Sequence, residues 1–143
     1  MSVEDKMDKE HDLKMFTVEE ANRLLPELTQ KLRELQSGRE AILTLEVEID
    51  TLEFVTQKDD SGASPVLDRK VEEYTRLVNR FYFLVDEIHG AGCLLKDLDL
   101  GLVDFYSLQN NHVVFLCWKL GDPSVGFWHE IGGGFASRQA LQK

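Results

Sequence analysis

Between Ser64 and Gly92 one pattern limits what this chain can fold into. Leu67, Val71, Tyr74, Val78, Phe81, Val85 and Ile88 follow one another in alternating steps of four and three. Side chains at that spacing share one stripe of an α-helix. A stripe so narrow and regular is a coiled-coil seam, and burying it requires a second helix. The boundaries agree: Ser64 is placed as an N-cap with Pro65 at the first helical position, and Gly90 and Gly92 end the run.

The partner is predicted just upstream. In Phe16–Glu20, read as FTVEE, Thr17 and Glu20 have the spacing of a capping box. Leu25, Leu28, Leu32, Leu35, Ile42, Leu45, Ile49 and Leu52 then continue in steps of three and four, broken at Gly38-Arg39. Pro26 lies inside the pattern, so the helix is expected to kink or to split off a short first helix ending near Leu25. The polar stretch from Gln57 to Ser64 reads as a turn, and a short connector makes the two helices antiparallel neighbours. Leu77, Phe83 and Leu84 leave a second apolar stripe on the second helix, to be covered by the following β-unit or by another copy of the chain.

Composition shifts at Gly92. Segments 93–95, 102–106, 112–120 and 125–130 are rich in Val, Phe, Leu, Tyr and Trp, with turn residues between them: Asp99 with Gly101, Asn110-Asn111, and Gly121 to Ser124. The expected fold class is α+β: a long antiparallel α-helical hairpin followed by a small antiparallel β-sheet of three or four strands. Residues 1–14 are read as a loose N-terminal tail and 15–143 as one domain. Within it the hairpin occupies 15–91, the β-unit 92–131 and a C-terminal tail 132–143, the triple glycine Gly132-Gly133-Gly134 forming a flexible stop.

Charge and cysteine content narrow the function classes. The formal net charge is -10, and the basic residues are interspersed with Glu and Asp. A surface of that sign repels nucleic-acid phosphates and anionic lipid, so no nucleic-acid or membrane partner is expected. No apolar run approaches the ~20 residues of a membrane span. Cys93 and Cys117 both sit in apolar surroundings, which reads as buried free thiols in a reducing, cytoplasmic setting. The tail histidine His11, His89 near a helix end and His112 beside a turn need no special role.

The residue types that do chemistry concentrate in the β-region: Lys96, Asp97, Asp99, Asp104, Cys117, Trp118, Trp128, His129, Glu130 and Arg138. The segments FTVEEANRLLPEL, LKDLDLGLVDF and VFLCWKLGDPSVGFWHE followed by GFASRQ resemble an uncharacterised bacterial family, domain-of-unknown-function family 2203, over about Phe16 to Leu141. The resemblance implies that Asp104, Cys117, Trp118, Trp128, His129, Glu130, Gly134, Phe135 and Arg138 are motif positions. It implies no catalytic residue, no cofactor and no enzyme signature.

Asp104, Cys117 and His129 are metal-ligand types. Whether they can meet depends on the turn after Leu120. With four loop residues Cys117 pairs with Trp128, and with five it faces His129; only an odd-length loop puts thiol and imidazole on one face. The plainer reading is a buried thiol and a hydrogen-bonded histidine. As a Cys–His nucleophile the pair is weak, because burial holds a thiol protonated. The acidic residues lack the spacing of a calcium loop, and the rings are explained by packing. His129 and Glu130, adjacent on a strand, point to opposite faces.

Two functional readings follow. The first is a non-enzymatic interaction or scaffold protein, most simply a homodimer through its helices, with a protein partner as the variant. The second is a small-ligand or metal-binding protein, with Asp104, His129, Glu130 and Arg138 in one polar cluster beside Trp118 or Trp128. In that cluster Asp104 is the expected acceptor for His129, and Arg138 is expected to clamp Asp104 or Glu130.

Overall fold

The computed structural model describes residues 13–58 and 64–142. The expectations for His11, for the tail through residue 12 and for the centre of the 57–64 turn lie outside the described residues.

Helix α1 spans Val18–Lys58 and α2 spans Pro65–Gly90. Their starts are capped by side chains. Glu20 N donates to Thr17 Oγ1 at 3.1 Å, Thr17 N donates to Glu20 Oε1 at 2.9 Å, and Leu67 N donates to Ser64 Oγ at 3.1 Å. The bond from the Thr17 amide holds the Glu20 carboxyl below its ordinary range. Pro26 does not split α1, which continues through it to Lys58. Pro26 itself is exposed, while Leu25 and Leu28 on either side are buried. Keeping their stripe continuous outweighs one missing backbone hydrogen bond.

Bonds from α2 to α1 fix the direction of the hairpin. Lys70 pairs with Glu48 at 2.8 Å, Tyr74 with Glu46 at 2.9 Å and Arg80 with Glu34 at 2.7 Å. Partner numbers fall along one helix as they rise along the other, so the helices run antiparallel.

The chain divides into two compact units: Arg33–Asp86, and residues up to Leu32 together with Glu87 onward. In the hairpin unit Leu35, Leu45 and Leu84 are buried. The alternative that another copy of the chain covers Leu84 is therefore corrected. It lines, with Leu77 and Phe81, an apolar opening of about 400 Å³ on the chain's own hairpin. That opening exists because Gly38 and Ala41 offer too little side chain to fill it.

The other unit holds a five-stranded antiparallel sheet in sequence order: β1 Cys93–Asp97, β2 Leu102–Gln109, β3 His112–Lys119, β4 Phe127–Glu130 and β5 Gln139–Ala140. Asn110 and Asn111, both at positive φ, make the tight β2–β3 turn. The fifth strand comes from the segment expected to be tail. Ala140 pairs with Phe127, Gln139 with Trp128, and Leu141 N donates to Gly126 O at 2.9 Å. Nor is the glycine run a loose stop. Gly133 N donates to Glu130 O at 2.9 Å, a Cβ on Gly133 would collide with the Ser137 hydroxyl, and Phe135–Ser137 forms a 3-10 turn.

Alternation along the strands sorts side chains onto two faces. Val103, Phe105, Ser107, Leu116 and Trp118 share the face that meets the start of α1. There Phe16 packs edge-on to Phe105 at 5.2 Å, and Ser107 Oγ donates to Phe16 O at 2.6 Å. Asp104, Tyr106, Phe115, Cys117, Phe127 and His129 share the other face.

Candidate metal centre

Cys117 stands directly across from Asp104 in the β2–β3 ladder, and Phe115, two residues before it, stands across from His129. Neither pairing weighed from the sequence occurs, since Cys117 pairs with Phe127. The parity is that of an odd-length loop, so thiol and imidazole share a face one step out of direct opposition.

Three buried donors consequently converge. His129 Nε2 lies 3.0 Å from Asp104 Oδ2, and ligand atoms of Asp104, Cys117 and His129 all lie within 4.8 Å of one another. His129 Nδ1 lies 2.8 Å from the Glu130 carbonyl, which can only accept, so this nitrogen carries a proton. At 3.0 Å from Asp104 Oδ2, Nε2 shares one further proton with that carboxyl, the proton a metal ion would displace. A histidine oriented by a backbone carbonyl in this way is the usual arrangement of a metal ligand.

Burial dominates the electrostatics of the three donors. Burial holds the Asp104 carboxyl above its ordinary range, against the pull of His129 and Lys96. Burial, then the Asp104 charge, pushes the Cys117 thiol up to about 11, with Arg138 opposing. A divalent cation would reverse both shifts, since it favours the ionised carboxylate and thiolate. Bonds of about 2.0–2.3 Å place tetrahedral ligand atoms about 3.3–3.7 Å apart. The donors, none more than 4.8 Å apart, need close by no more than about 1 Å to reach that spacing. All three line a cavity of about 110 Å³, whose remaining wall includes Lys96, Gly133, Gly134 and Phe135.

The family model "Uncharacterized conserved protein (DUF2203)" matches residues 14–141, nearly the whole chain. The chain belongs to the DUF2203 family. No curated protein and no solved structure matches it.

Other residues singled out from the DUF2203 sequence are not among the three donors, although Arg138 stays close enough to act on Cys117. Glu130 leaves the cluster: its carboxylate is exposed and lies 2.6 Å from His112 Nε2. Arg138 clamps neither Asp104 nor Glu130. Its guanidinium stacks on Phe127 at 3.9 Å and Phe135 at 4.2 Å, and its Nη1 is 3.7 Å from Asp122 Oδ2, too far for a hydrogen bond. Trp118 is buried on the α1 face, its indole donating to Asp122 O at 3.0 Å, and Trp128 shares that face. The rings beside the donors are instead Phe115, 5.4 Å from His129, and Phe135.

Sequence reasoning counted Lys96 among the chemistry-bearing residues but gave it no place in the polar cluster, and took the glycines for a stop. Lys96 follows the last regular β1–β2 pair and has no partner across the ladder. Such bulges re-aim side chains, but nothing in the local sequence marks this one.

Proposed function

We propose that this DUF2203 protein binds one divalent transition-metal ion through Asp104, Cys117 and His129. The observation that carries the reading is the convergence of carboxylate, thiol and imidazole, all buried, within 4.8 Å. Mixed O, S and N donors suit Zn²⁺, Co²⁺ or Fe²⁺ rather than Mg²⁺ or Ca²⁺, which prefer oxygen alone. Three protein ligands beside a cavity leave a fourth position open, as in metal sites that bind or turn over a small ligand. Binding expels the thiol proton and any proton held between Asp104 and His129, so affinity rises with pH.

Cobalt titration of the full chain tests this. One Co²⁺ per chain is expected, with a thiolate-to-cobalt absorption band that Cys117→Ser abolishes. Asp104→Asn and His129→Gln should each weaken uptake at least about tenfold, since even outer-shell changes cost 10–100-fold. Urea unfolding of the three variants identifies any that fail to fold. Absent uptake, or uptake indifferent to Cys117→Ser in folded protein, overturns the reading.

A second reading, self-association through the helices, is supported by one observation. Leu43, Val47, Phe54 and Val55 on α1 and Tyr82 and Phe83 on α2 are exposed by 50–66%. Large apolar side chains left exposed along both helices favour contact with another copy.

A further inference from the structure

We infer that the open position of the metal centre takes a small oxyanion of carboxylate size, held at its far end by Lys96. This rests on the metal reading and adds the class of ligand. The first support is volume. The cavity holds about 110 Å³, and a water's share of liquid volume is ≈ 30 Å³. Once a cation occupies the end nearest the three donors, room for an anion of formate or acetate size remains.

The second support is charge. A divalent cation is balanced by the ionised Asp104 and Cys117, with His129 neutral. Lys96 lines the same cavity and makes no salt bridge among the described residues. Its ammonium sits 4.8 Å from the centre of the Phe115 ring, close enough to act on the Asp104 carboxyl. Arg138 adds positive charge behind Cys117. With the metal in place, the next charge this pocket accommodates is negative.

The third support is access. Lys96, Gly133 and Gly134 are exposed while Asp104, Cys117 and His129 are buried. The cavity therefore opens at the lysine and glycine wall. An anion entering there meets the ammonium first and the metal last, which orients one oxygen toward each.

The test is visible absorption of the Co²⁺-loaded full chain titrated with sodium formate, with sodium chloride at equal ionic strength as control. A saturable shift of the cobalt bands with formate and not chloride is expected. Lys96→Gln should leave the anion-free cobalt spectrum unchanged and weaken formate binding by about two- to fivefold, the range for a solvent-exposed charge pair. Lys96→Arg should restore most of it. A normal cobalt spectrum that formate does not move, or moves equally in Lys96→Gln, overturns the oxyanion inference and leaves the metal reading intact. Absence of any cobalt spectrum removes the metal reading and this inference with it.

Discussion

Cys93 and Cys117 are free, buried, and on opposite faces of the sheet, with Cys93 paired to Phe105 and Cys117 to Asp104. Burial raises both thiols from 9.0 to about 11. Between those values the unfolded chain has lost thiol protons that the metal-free folded chain keeps. The thiols' contribution to stability is therefore constant below about pH 9 and is lost as pH climbs toward about 11. Urea midpoints measured across that window should drop steadily, and Cys93→Ala should flatten the slope by roughly half. A midpoint that stays constant to pH 11 in the metal-free protein would mean the thiols are not held back by burial. Asp104 acts in the same direction lower on the scale. Its raised carboxyl contributes stability while protonated, and that contribution is lost as pH rises through the folded value.

At the scale of elements, the C-terminal segment closes the site face of the sheet. Arg138 lies between the rings of Phe127, on β4, and Phe135, in the 3-10 turn, and so ties the turn to the sheet edge. Each such cation–ring contact contributes about 0.5–1 kcal/mol, so Arg138→Ala should lower unfolding free energy by about 1–2 kcal/mol in urea titration. Cobalt uptake should persist, because Arg138 is not among the three donors. Lost uptake at unchanged stability would instead make Arg138 part of the centre. Helix α1 shows the opposite balance of local and tertiary forces. Pro26 opposes helix locally, yet the buried Leu25 and Leu28 carry the element through it.

For the whole molecule, the net charge of -10 sets the terms of any self-association. Copies repel at low ionic strength, so a helix-mediated dimer should strengthen as salt screens the charge and favours apolar contact. Sedimentation velocity should show the weight-average coefficient rising with salt and with protein concentration. Phe83→Glu, at a residue 52% exposed, should abolish the rise while lowering stability by no more than the lost Arg80 contact, about 0.5–1 kcal/mol. Leu84→Glu cannot serve, because Leu84 is 3% exposed and its substitution unfolds the hairpin. A sedimentation profile that remains monomeric in high salt would rule out assembly through this surface. No helix among the described residues is long and apolar enough to cross a membrane.

The α+β class, both helix starts and the antiparallel hairpin were determined by sequence alone. Apolar periodicity, a capping hydroxyl and turn residues act over a few neighbours, so they are legible in a string of residues. The ligand types at Asp104, Cys117 and His129 were legible too, as was the opposition of His129 and Glu130, because strand alternation is local. Whether the three donors meet was not, because it depends on the β3–β4 register, and a one-residue slip turns every side chain of a strand to the other face. The roles of Lys96, Phe135, Arg138 and the fifth strand were likewise decided by tertiary structure. A bulge and a folded-back C-terminal segment place them, and both answer to packing between residues far apart in the chain.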